Sequence, residues 1–420
     1  MTLLSWIAVA VIFVTIWALI KRWETRLVLI AAGLFLCIIS LNPMMGLNQF
    51  AKSMTNNSLI MAICGSMGFA FTATYTQCDR SLVHYLAAPI RGLGLFLVPV
   101  STVITFFVNI AIPSAAGCAA AVGSTLIPLM LRAGIKPAAA AAAVLAGTIG
   151  SYLSPGTSHN PFVAKMAGMD VMEFIGTHTY YSLMCGAILV VGTAVVCFLM
   201  GDGKGDTNAQ VDETKIKNDD FTPNPLKALV PLIPITILVV GNMWVPAIKM
   251  GVAQAMLIGA ICALVVSLSN PQEFSKKFFD GMGKGYADVL GIIIAAVFAA
   301  GLRATGLIDA CVDALKDSND IARWGGSLGP WIMGVITGSG DAATLAFNET
   351  VTPHAKDFGM TIEGLGGLAF LTGALGRTMS PLAGVTILVS GIAMVNPIDV
   401  IKRTAIPCII AVFACAFLMV

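Results

Sequence analysis

Residues 337–384 read TGSGDAATLAFNETVTPHAKDFGMTIEGLGGLAFLTGALGRTMSPLAG. The stretch opens on small and polar residues (TGSGDAA, 337–343), continues through apolar, helix-like sequence and closes on GRTMSPLAG (376–384). Asp341 and Arg377 stand inside sequence that otherwise reads as buried in a bilayer. An unpaired charge in hydrocarbon costs roughly 2.5–3.5 kcal/mol on insertion scales, so such residues usually face a cavity and carry function. Residues 112–160 have the same layout: IPSAAG, an apolar run, then SPGTSHN. Paired polar interruptions, one set in each half, are the sequence pointer to a substrate site in a secondary transporter.

The surrounding composition agrees. Of 420 residues, 57% are apolar and only 11% charged, too few charges to cover a soluble protein of this size. Runs of bilayer-spanning length recur along nearly the whole chain, which makes the fold class an all-α polytopic membrane protein. The net charge of +2 comes without a basic tract, so no nucleic-acid partner is expected. Ten cysteines lie singly in apolar sequence without a CxxC pair, and read as small buried residues rather than disulfides or metal ligands. The first apolar run, Leu3–Ile20, lacks a basic start and is read as a membrane helix, not a signal peptide.

The second half repeats the first. Asn42-Pro43 corresponds to Asn270-Pro271, Pro113–Gly117 to Ser339–Ala343, Ser154-Pro155 to Ser380-Pro381, and Glu173 to Asp399. The offset stays between 226 and 228 residues, a register that argues for a duplicated unit. The first repeat covers 1–200, with a hairpin at 93–131 and a broken helix at 137–168; the second covers 226–420, with a hairpin at 326–358 and a broken helix at 363–395. Between them, residues 201–225 form a hydrophilic linker with too little apolar content to fold. With five spans and one re-entrant hairpin per repeat, the basic segments 21–26, 77–91, 132–136, 204–227, 276–284 and 402–403 fall on one side. The positive-inside rule makes that side cytoplasmic, and the odd span count makes the repeats inverted.

Broken helices aim backbone N–H groups and the positive end of the dipole into the membrane, where they attract anions. Hydroxyls beside the interruptions can hold carboxylate oxygens or a small cation, and Arg377 can pair bidentately with a carboxylate. The candidate substrate-binding set is Ser114, Ala115, Gly117, Ser154, Thr157, Ser158, His159, Asn160, Ser339, Gly340, Asp341, Arg377, Thr378 and Ser380. Each has a plainer reading: small residues serve close packing, Arg377 is a structural partner of Asp341, and His159 is a satisfied core residue rather than a protonatable one. Asp288 and Glu349 are either coupling acids or helix-end groups, and Asp309, Asp313, Asp317 and Asp320 read as a solvated face.

The segments TGSGDAA, LGRTMSPLAGV, NPIDVIKRTAIP and SPGTSHN resemble the anaerobic four-carbon dicarboxylate carriers of the DcuC type, within the ion-transporter superfamily. The likeness covers most of the chain and is strongest at 334–407. It implies an inverted-repeat, elevator-type carrier for uptake, efflux or exchange of succinate, fumarate, malate or aspartate. Asp341 departs from that pattern, which carries a neutral amide there.

The resulting expectation is a multi-pass protein of the bacterial inner membrane that binds a small dicarboxylate, lies in a lipid bilayer and forms a homodimer. No cofactor, catalytic residue or firm metal site is expected beyond a coupling ion. That ion is H⁺, through Asp341 or His159, or Na⁺ near Ser114, Ser154, Ser339 and Ser380. The rival reading is a cation/proton antiporter or an amino-acid exchanger on a related scaffold.

Overall fold

Helices joined by turns make up the whole of the described chain, which comprises residues 2–21, 23–55, 57–87, 94–203, 221–308, 310 and 319–419 of a computed structural model. The first half runs α1 (Leu3–Ile20), α2 (Thr25–Ile39), α3 (Pro43–Met54), α4 (Asn57–Tyr75), α5 (Cys78–Ala87), α6 (Leu97–Ala111), α7 (Ala115–Arg132), α8 (Pro137–Gly147), α9 (His159–Ala167) and α10 (Val171–Leu199). The second half follows with α11 (Pro225–Leu229), α12 (Ile233–Met243), α13 (Val252–Ser267), α14 (Pro271–Ala304), α15 (Asn319–Thr337), α16 (Gly340–Thr350), α17 (Ile362–Thr378), α18 (Gly384–Ala393) and α19 (Pro397–Leu418). Six of the described helices are long and apolar enough to cross a membrane, judged by length and composition.

Local sequence sets the helix starts. Asn270 and Asn396 accept hydrogen bonds from the N–H groups of Gln272 and Ile398, and a proline follows each at the first helical position. Proline costs nothing there because that N–H has no partner within the helix.

Two packed groups result. In the first, α14 lies along α2, α3 and α4, and α13 lies on α4. Glycines allow the closeness: a Cβ on Gly285 would sit 2.9 Å from Cys64 Cα, and one on Gly281 2.5 Å from the Met67 carbonyl. In the second group α6–α8 and α10 pack with α15 and α17–α19. The alanine-rich α8 is buried on every side, as suits a helix at the centre of a bundle. Tyr152 is also fully buried and donates its hydroxyl to the Leu371 carbonyl at 2.6 Å, tying the two halves together.

The polar ends differ from the sequence expectation in two places. Asp202, read as part of the linker, is fully buried and holds Arg403 bidentately at 2.7 and 2.8 Å. Lys136 Nζ stands 3.7 Å from the same carboxylate. A buried carboxylate needs such partners, so the hydrophilic segment is anchored at its start. The basic segment 276–284, read as lying on the cytoplasmic side, is part of the 34-residue α14, and its Lys284 reaches a cavity between the helices. Within the charged patch near residue 80, Asp79 is buried and accepts from Thr74 Oγ1 and the Arg80 N–H, and burial pushes its carboxyl up to about 6. Residues 204–220, Asp309, Asp313 and Asp317, and the side chains of Asp288 and Asp320, lie outside the described residues.

Candidate functional site

Each hairpin turns through a short tip. In the first, α6 ends at Ala111 and Ser114 caps α7, its hydroxyl accepting from the Gly117 N–H at 3.2 Å. Asn109 staples this tip in place, donating to the Ile112 carbonyl at 3.0 Å and accepting from the Ser151 N–H at 2.8 Å. In the second hairpin Gly338 takes a left-handed φ of 73° and Thr337 Oγ1 accepts from the Ser339 N–H. A Cβ on Gly338 would lie 2.7 Å from the Ala383 N, so residue 338 must be glycine on both counts.

Both partner helices are interrupted. After α8 the chain makes one 3₁₀ turn at Gly150–Leu153, then the SPGTS loop, then α9. Backbone at membrane depth must be satisfied internally. Here Thr157 Oγ1 donates to the Ser151 carbonyl, and Asn160 Nδ2 donates to the carbonyls of Tyr152 and Ser154, all within 2.8 Å. After α17 the hydroxyl of Ser380 accepts from the Leu382 N–H, and Thr404 of α19 donates to the Thr378 carbonyl.

Tips and breaks meet at one cavity of about 250 Å³. Its lining takes Ser114, Ala115 and Ala116 from the first tip, Thr157 and Ser158 from the first break, Asp341 from the second tip and Val385 from the start of α18. All four restarting helices thus present an N-terminus to the same space. Arg377 and Phe370 of α17, Ser151, and Lys284 of α14 complete its polar and aromatic wall, with Ile63 and Met67 of α4 beside them.

The charged groups are arranged across the two halves. His159 Nε2 lies 2.9 Å from Asp341 Oδ1, with the ring buried and stacked on Phe370 at 4.6 Å, while 68% of the Asp341 side chain is open to the cavity. Arg377 is not bonded to Asp341; its Nη2 donates to the Thr148 carbonyl at 3.2 Å, and its Nε has no partner. The hydrogen-bonded partner of Asp341 is thus His159 and not Arg377.

Of the residues singled out from sequence, Ser114, Ala115, Thr157, Ser158, Asp341 and Arg377 line the cavity, and His159 reaches it through Asp341. Gly117, Ser154, Asn160, Gly340, Thr378 and Ser380 do not line it; they shape the tip and break backbones behind it, and Ser339 sits in the second tip. Sequence reasoning passed over Asn109, Ser151, Lys284 and Phe370. Asn109 carried a signal, as a lone amide within an apolar run. The pentapeptide GGSLG (325–329) fits the letters of a hydrolase nucleophile elbow, yet it lies inside α15, and Ser327 Oγ donates to its own helix at Arg323.

Comparison with known proteins fits this architecture. Residues 6–420 match the family model described as DcuC, C4-dicarboxylate anaerobic carrier. The chain belongs to the DcuC family. It is 46% identical over 277 residues to a putative uncharacterized transporter of Haemophilus influenzae, covering 64% of this chain and 99% of that protein. It is 26% identical over 367 residues to the anaerobic C4-dicarboxylate transporter DcuC of Escherichia coli K12, covering 84% and 77%. Among solved structures, the YdaH transporter of Alcanivorax borkumensis aligns with a TM-score of 0.54 at 15% identity, over 89% of this chain and 86% of that one. Membership of a carrier family makes this DcuC-family chain a membrane transporter and not an enzyme.

Proposed function

We propose that the protein is a secondary active carrier of the bacterial inner membrane that moves four-carbon dicarboxylates such as succinate, fumarate, malate or aspartate. The observation that carries this reading is the cavity where four helix N-termini meet Arg377 and Lys284. Each N-terminus offers roughly half a positive charge, so the space favours an anion. In this reading Arg377 grips one carboxylate, and the hydroxyls of Ser114, Thr157 and Ser158 orient it.

Inverted repeats working as an elevator agree with the element order. Ala115 and Gly340, Pro137 and Ile362, and His159 and Gly384 begin corresponding helices, each pair 225 residues apart. The group holding tips and breaks then carries substrate past the wall made by α4 and α14. Coupling to H⁺ or Na⁺ is assigned to this same site, and a homodimer remains part of the proposal.

One observation favours a rival. Asp341 faces the cavity, which suits the ammonium of an amino acid or a bound cation. Counterflow in proteoliposomes separates the readings: succinate or fumarate inside should drive uptake of labelled succinate, and amino acids lacking a second carboxylate should not. Counterflow with such amino acids but with no dicarboxylate sinks the dicarboxylate reading.

A further inference from the structure

We infer that Phe370 is a positioning residue for proton coupling: its ring, rather than a hydrogen bond, holds the His159 imidazole in line with Asp341. The inference rests on the proton form of the coupling reading above and names a residue of the cavity wall that carries no charge.

The two nitrogens of His159 lead to it. A histidine that works through one ring nitrogen is usually oriented by a hydrogen bond at the other, and that bond also sets where the hydrogen sits. His159 has no such bond. Its Nε2 lies 2.9 Å from Asp341 Oδ1, whereas Nδ1 is buried without a hydrogen-bond partner among the described residues. The imidazole instead lies against the ring of Phe370, stacked at 4.6 Å with 26° between the planes. Stacking fixes the plane of the imidazole and leaves the placement of the hydrogen open. A proton can then pass between Asp341 and Nε2 with no second hydrogen bond to break at Nδ1.

Phe370 is itself clamped. Tyr152, from the first break, meets it edge-on at 5.0 Å and donates its hydroxyl to the carbonyl of the next residue, Leu371. His178 of α10 stands 6.4 Å from the same ring, with its Nδ1 bonded to Ser182 Oγ. Tyr152, His178 and Phe370 are all buried. The other charged groups described around the pair, Arg377 and Lys284, share the cavity wall with Asp341. The alignment of His159, in the first half, thus depends on a ring from the second half that the first half holds in place.

The test uses the full-length protein in proteoliposomes and reads the ratio of pH-gradient-driven succinate accumulation to succinate counterflow. In that ratio the amount of folded carrier cancels, as does any loss shared by both activities from altering the cavity wall. Phe370→Leu keeps an apolar side chain without a ring plane and should lower the ratio roughly 3- to 10-fold, the scale of one stacked aromatic pair. Phe370→Tyr keeps the plane and should stay within about twofold of wild type. Added to Asp341→Asn, Phe370→Leu should change the remaining ratio less than about twofold, because no titrating partner is left to align. An unchanged ratio in Phe370→Leu, equal falls for Leu and Tyr, or the same fall with and without Asp341→Asn overturns the role of Phe370 and leaves a proton-coupled carrier. A wild-type protein whose accumulation ignores the pH gradient overturns the coupling reading, and the role of Phe370 with it.

Discussion

In the first half, the tip at Ile112–Ser114 is stapled to its broken helix by the amide of Asn109, and its cavity-facing polar groups are neutral hydroxyls. In the second half the tip lies directly against backbone, where a Cβ on Gly340 would sit 2.5 Å from the Gly373 carbonyl, and Asp341 and Arg377 bring charge. The helices are laid out alike and the chemistry is divided. A hydrogen-bonded neutral half can act as a template while a close-packed charged half sets what binds. Asp341 and His159 cross that division, 182 residues apart in sequence.

The sharpest way to break this comparison is to remove the charge of the second half. Arg377→Ala should abolish dicarboxylate transport in proteoliposomes, a loss beyond about 100-fold, while the chain still folds, since Arg377 bonds only to Thr148. Lysine at the same position should restore little, because a point charge lacks the planar fork. Full uptake by the alanine variant removes Arg377 from the site.

A smaller effect separates the two tips by packing. Gly340→Ala drives a methyl into the Gly373 carbonyl and should cost about 1–3 kcal/mol in melting measurements. Gly117→Ala meets side chains and no backbone, Ser114 at 3.3 Å from the new Cβ and Ile112 at 3.8 Å, and should be neutral or gain up to about 1 kcal/mol from helix propensity. Equal losses at both positions would mean that the tips are held in the same way after all.

The tips and breaks were readable because Pro, Gly and Ser clusters such as SPGTSHN interrupt apolar sequence that would otherwise continue as helix. The lining side chains were half readable. Asp341 and Arg377 are charges without a soluble loop around them, so composition alone exposes them. Lys284 was hidden because nothing in FFDGMGKG marks it as cavity-lining; it lies within the long helix α14, which Gly281 and Gly285 let pack closely on α4. Phe370 is one aromatic in an apolar run, and its stacking on His159 is a fact of tertiary structure. Asp202 sat among linker acids that look alike; nothing local distinguishes the one that meets Arg403.

The bond between the halves gives the subtlest test. If Asp341 is ionised, His159 Nε2 must carry the hydrogen and donate; if the acid is protonated, it can donate to a bare Nε2. The pair can therefore hold or release a proton while keeping one hydrogen bond, with a carboxylate open to the cavity that a substrate enters. Asp341→Asn keeps a donor and an acceptor at the same place but cannot titrate. Exchange between two loaded sides needs binding and movement only, so counterflow by this variant should stay within about threefold of wild type, less than the loss of one hydrogen bond to a charged group. Accumulation driven by an imposed pH gradient needs the proton, and should fall several-fold more than counterflow in the same proteoliposomes. If both activities drop together, Asp341 is part of substrate binding, and the charged half does one job instead of two. If neither changes, the proton is carried elsewhere, and the bond from His159 serves only to hold the second tip against the first break.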